Sequence, residues 1–120
     1  MKVYTKKDEM ESVLMEKHVP AIMAPEGVET GKEFEVSINV GDKVPHPNTN
    51  EHHIKWIHVF LEVDGRQFNP VHIATFDLVP TFAEPKVKFK IKLEKSANMI
   101  AQIYCNLHGV WENSIRINVE

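Results

Sequence analysis

The chain has 120 residues, 14 basic and 17 acidic side chains, and a formal net charge of -3. That length suits one domain with an ordinary core, and the charge gives no basic field for holding nucleic acid non-specifically. No apolar run approaches the ~18 residues that a bilayer span requires, and a single cysteine excludes both an intrachain disulfide and any four-cysteine metal site.

The first dozen residues, MKVYTKKDEMES, are charged and lack the apolar core of a signal peptide, so a cytoplasmic protein is expected. A short helix is expected around Asp8–Met15, followed by Glu16-Lys17-His18-Val19-Pro20 in a loop. Beyond this point the dominant period is two. In residues 33–40, EFEVSINV, one face carries Phe34, Val36, Ile38 and Val40. Next comes the loop His46-Pro47-Asn48-Thr49-Asn50-Glu51-His52-His53.

The run 53–63, HIKWIHVFLEV, places Ile57, Val59, Leu61 and Val63 on one face and Ile54, Trp56 and Phe60 on the other. It reads as a strand covered on much of both faces, and Asp64-Gly65 then signals a two-residue hairpin. Residues 70–79 form a less regular strand. In 86–93, KVKFKIKL, Val87, Phe89, Ile91 and Leu93 oppose four lysines, which predicts a half-buried antiparallel strand protected at an edge. Residues 99–105 and 113–119 complete the set, and the prolines fall mostly between the runs. Six or seven short strands predict an all-β sandwich.

The chemistry sits in the turns. The chain has 7 histidines, and the Cys105-Asn106-Leu107-His108-Gly109 segment lies just past a strand end. A turn can point both side chains of Cys-x-x-His at one centre, and a thiolate with imidazoles selects a transition metal over calcium or magnesium. Loops at one end of a sandwich can unite the three segments. A lone histidine is more often a surface or hydrogen-bonded core residue than a ligand, so His58 and His72, inside strand runs, are read as structural. Adjacent His52 and His53 point to opposite faces of an extended chain, so at most one reaches such a centre.

Glu16-Lys17-His18-Val19-Pro20, His46-Pro47, Glu51-His52-His53-Ile54 with Trp56-Ile57, and Cys105-Asn106-Leu107-His108-Gly109 together resemble the superoxide reductases, most nearly the one-iron neelaredoxin class. The resemblance runs from residue 16 over nearly the whole chain. The two-iron relatives, the desulfoferrodoxins, add an N-terminal domain with iron on four cysteines. One cysteine cannot build it, so residues 1–120 are expected to form a single iron-binding domain.

The resemblance implies an immunoglobulin-like seven-stranded antiparallel β-sandwich. It also implies one iron ion held by His18, His46, His52 and His108 equatorially and by Cys105 axially. Glu16 corresponds to the carboxylate that occupies the sixth position in the ferric state, and Lys17 to the cation beside the open face. The implied activity is one-electron reduction of superoxide to hydrogen peroxide. An external donor such as rubredoxin restores the electron, and the assembly is a homotetramer or a dimer. Two other readings compete. A cupredoxin-like copper electron-transfer protein shares the sandwich and a Cys…His loop, but residues 109–120 contain no axial methionine. A protein-binding sandwich module would carry these histidines incidentally and bind no metal.

Overall fold

Alternating side chains decide how this chain folds. The computed structural model describes residues 1–120. A helix α1 (Ser12–His18) precedes eight strands: β1 (Ala21–Met23), β2 (Gly27–Val28), β3 (Phe34–Asn39), β4 (Ile54–Val63), β5 (Val71–Asp77), β6 (Lys86–Ile91), β7 (Ala97–Cys105) and β8 (Gly109–Val119). They form a three-stranded sheet in the order β1-β3-β6 and a five-stranded sheet in the order β2-β8-β7-β4-β5. All pairings are antiparallel except β2 with β8. The two-sheet, all-β architecture matches the expectation. The six periodic runs correspond to β3–β8; the strands number eight because β1 and β2, of three and two residues, are too short to show a period.

The core lies between the sheets. Val36, Ile38 and Val40 meet Ile57, Val59, Met99, Ala101, Ile103 and Ile117, all buried. Each of these valine, isoleucine and methionine side chains contributes about 1.5–3 kcal/mol of transfer free energy. Strand β6 is an edge strand, and Lys86, Lys88 and Lys90 are exposed along it, as its lysine alternation predicts.

Strand β4 needs two corrections. Its register against β7 shifts between Ile54 and Trp56, a bulge at Lys55. The extra residue turns Ile54 into the core, where it is buried, instead of leaving it on the outer face with Trp56 and Phe60. The outer face carries a half-buried aromatic row: the Trp56 ring lies 3.9 Å from His58 and 5.8 Å from Tyr104. The turn after β4 is also longer than a two-residue hairpin, because β5 begins only at Val71. Asn69 closes it, accepting from the Val63 N–H at 3.0 Å and donating to the Val63 and Arg66 carbonyls at 3.1 Å.

Helix α1 begins and ends later than its sequence suggests. Glu16, Lys17 and His18 therefore occupy its last turn rather than a loop, and the Val19 N–H closes that turn on the Met15 carbonyl. No helix is long and apolar enough to cross a membrane. One strand pairing brings distant loops together. Ile54, the first residue of β4, is registered against Cys105, the last of β7. The loop that enters β4 and the turn that leaves β7 are thereby placed side by side.

Candidate metal centre

His18 is 1% exposed, and its Nδ1 lies 2.7 Å from the Leu14 carbonyl. His46 places Nδ1 2.6 Å from the Pro47 carbonyl. A carbonyl only accepts, so both Nδ1 atoms carry the proton and both Nε2 atoms present a bare lone pair. Those two Nε2 atoms lie 3.2 Å apart. Two neutral rings in these tautomers cannot hydrogen-bond to each other there, and their two lone pairs are free to meet one shared cation.

The four rings form a closed quadrilateral. Centroid separations along its sides are 4.8 Å for His18–His46, 4.6 Å for His46–His52, 5.1 Å for His52–His108 and 4.8 Å for His108–His18. The His18–His52 diagonal is 6.4 Å. Cys105 Sγ lies 3.5 Å from His46 Nε2 and 3.7 Å from His108 Nδ1. One donor atom each from His18, His52, Cys105 and His108 fall within 4.8 Å of one another. His52 Nε2 is buried without any hydrogen-bond partner. An orphaned buried nitrogen, two facing lone pairs and a neighbouring thiol fit a thiophilic transition-metal ion.

Electrostatics keep the imidazoles ready to coordinate. Burial holds His18, His46 and His52 below the ordinary histidine range, opposed in part at His18 and His46 by their carbonyl hydrogen bonds; His46 falls to about 4. Burial pushes the Cys105 thiol up, partly opposed by hydrogen bonds from the Leu107 and His108 backbone. A bound metal reverses that tendency and holds the thiolate, so binding releases a proton.

Lys17, half-buried, lies close enough to His18 and His52 for its charge to disfavour their protonation. Glu16 is exposed and lines a separate cleft with Lys6, Asp42 and Lys43. His53 turns away, as alternation predicts, with Nδ1 3.0 Å from the Thr49 carbonyl. His58 and His72 lie on the outer sheet face, and the His72 Nε2 meets Thr75 and the Ala74 carbonyl.

Three further residues shape the site without standing out in the sequence. Trp111 is buried, stacks on His18 at 5.0 Å and donates its indole N–H to the His108 carbonyl at 3.0 Å. Gly41 has φ +75°, and a Cβ there would meet the His46 backbone nitrogen at 2.5 Å, so the loop can approach only because that position is glycine. Asn106 bridges the two ligand-bearing loops through its carboxamide. Gly41, at a strand end before a loop, offers a faint sequence signal. The contacts of Trp111 and Asn106 offer none.

Comparison with known proteins agrees with this geometry. The chain is 38% identical over 105 residues to the superoxide reductase of Pyrococcus horikoshii, covering 85% of this chain and 88% of the relative. It is 32% identical over 111 residues to neelaredoxin from Megalodesulfovibrio gigas, covering 82% and 85%. The solved superoxide reductase (neelaredoxin) from Ignicoccus hospitalis superimposes with a TM-score of 0.91 at 42% identity, covering 98% of this chain and 95% of that one. Residues 10–114 match the family described as desulfoferrodoxin, and on this likeness of sequence, fold and donor placement the chain belongs to that family.

Proposed function

We propose that this chain is a superoxide reductase, reducing superoxide by one electron, with two protons, to hydrogen peroxide. The observation that carries this reading is the convergence of four imidazoles and one thiol, with the His18 and His46 Nε2 atoms 3.2 Å apart, in a desulfoferrodoxin-family chain. His18, His46, His52, His108 and Cys105 hold one iron ion per chain. Iron held there would supply the electron through its ferrous and ferric states; zinc has no second redox state to offer.

The remaining work falls to the protein. Burial keeps the imidazoles neutral, so they add no charge, and Cys105 adds one negative charge. The ferrous site therefore stays net positive toward an anionic substrate. Lys17 adds a positive field at the same place and attracts superoxide. Glu16, exposed in the last turn of α1, is the carboxylate that would swing from its own cleft to the ion in the ferric resting state. Residues 1–120 act as one domain in the cytoplasm, assembled as a homotetramer or dimer. One site and one cysteine hold no second redox centre, so an external protein such as rubredoxin returns the electron.

Metal analysis and the visible spectrum of the oxidised protein test the reading, along with mixing of the ferrous protein with superoxide. Iron at one per chain, a thiolate-to-ferric band in the red and stoichiometric peroxide support it. Intense blue with copper, or a colourless protein whose ferrous-loaded form is inert toward superoxide, would overturn it.

A further inference from the structure

The ring of His52 is the imidazole with the fewest restraints. Unlike His18 and His46, it has no ring hydrogen bond to a carbonyl, and its Nε2 is partnerless. It sits in the loop entering β4, apart from the turn that carries Cys105 and His108. Within its own loop, the Thr49 Oγ1 accepts the His52 N–H at 3.0 Å and the Thr49 N–H donates to the His52 carbonyl at 2.9 Å; what ties that loop to the Cys105 and His108 turn is Asn106. The Asn106 Oδ1 accepts the His53 N–H at 2.8 Å, and its Nδ2 donates to the Glu51 carbonyl at 2.8 Å. The Asn106 N–H also donates to the His53 carbonyl at 3.2 Å. An N–H can only donate and a carbonyl can only accept, so the orientation of the carboxamide is unambiguous. One side chain therefore grips the residues on both sides of His52, while its own neighbours in sequence are Cys105 and, two residues on, His108.

We propose that Asn106 is a positioning residue that keeps His52 in the donor set, and with it the site's preference for an ion taking five protein donors over one taking four. This role rests on the assignment of His18, His46, His52, His108 and Cys105 as ligands. Its chemistry is a matter of counting. With His52 set free, His18, His46, His108 and Cys105 still offer four nitrogen and sulfur donors, the number and type that suit tetrahedral zinc. Loss of the Asn106 clamp therefore costs iron more than zinc. A residue serving only fold stability would weaken both alike.

The test is anaerobic titration of the metal-free protein with Fe²⁺, Co²⁺ and Zn²⁺, for the parent and Asn106→Ala, with circular dichroism as the check on folding. Asn106→Ser, whose hydroxyl is too short to span both partners, carries the test if the alanine variant does not fold. Fe²⁺ affinity should fall by ~10–100-fold, the range for residues that orient ligands, and Zn²⁺ affinity should fall distinctly less. The Co²⁺ absorption should change from the weak bands of a five-coordinate ion to the stronger bands of a four-coordinate one. Equal losses for iron and zinc, or an unchanged cobalt spectrum, overturn the role of Asn106 and leave the ligand assignment standing. A parent that binds neither Fe²⁺ nor Co²⁺ overturns both.

Discussion

Two regions of this molecule gather histidines, and only one of them builds a metal site. At the loop end, four rings close a quadrilateral around a thiol. On the outer face of the five-stranded sheet, His58 and His72 lie 5.6 Å apart in an aromatic row. The difference lies in how the rings are spent. His18 and His46 give Nδ1 to a carbonyl and keep Nε2 free for the interior. His72 turns Nε2 to the Ala74 carbonyl and Thr75, and His58 stacks flat on Trp56, an interplanar angle of 13°. Proximity is common to both regions. Bare nitrogens turned toward a shared interior, and convergence from separate segments, belong to one.

The sharpest break of this comparison is Cys105→Ser. A serine hydroxyl stays protonated near neutral pH and donates poorly. The variant should keep the sandwich by circular dichroism while losing the red band and most superoxide reduction in a stopped-flow assay. His52→Ala should lower iron affinity by at least ~10–100-fold, since removing a ligand exceeds the effect of removing its support. His53→Ala and His58→Ala should retain parental iron content by metal analysis; loss of iron in either would erase the contrast between the regions.

Acid probes the loop end next. His18, His46 and His52 bind protons less readily in the folded chain than in the unfolded one, whose ordinary value is 6.5. Their contribution to metal-free stability is therefore fully present above pH 6.5 and is lost as pH falls toward about 4, the His46 value. Urea midpoints of the metal-free protein should fall over that window, and His46→Ala should flatten the fall.

Smaller effects concern the approach of substrate. Lys17→Glu should slow the reaction of the ferrous protein with superoxide by about tenfold at low salt, with iron content unchanged. Salt should slow the parent and leave the variant flatter, because screening reaches over roughly 10 Å at 0.1 M. Glu16→Ala should change the resting ferric spectrum and leave the bimolecular rate within a factor of a few. A hundredfold loss would put Glu16 in the reaction itself.

Much of the fold and of the site is legible in the sequence, for physical reasons. Strands β3 and β6 alternate cleanly, so their faces can be assigned residue by residue. The ligand segments are legible because thiol and imidazole in short turns are chemically conspicuous. Ile54 is expected on the wrong face because a bulge shifts parity without changing composition. The helix is expected too early because its capping residue, Glu11, makes no side-chain cap bond, so nothing in the sequence marks its start. Asn106 stands inside a legible motif, yet its role is hidden there, since it depends on pairing with a loop more than fifty residues earlier.

The chain's two tryptophans divide between the two regions. Trp111 lies against His18 inside the loop end, and Trp56 lies against His58 on the outer sheet face. The protein thus contains two natural fluorophores in unlike surroundings. An ion arriving among the histidines meets Trp111 through the ring of His18, whereas Trp56 stands on the outer face of the sheet. Emission from the buried tryptophan becomes an optical gauge of loading, and emission from the outer one becomes its internal reference. Filling of the site can then be followed in solution without a dye or a label.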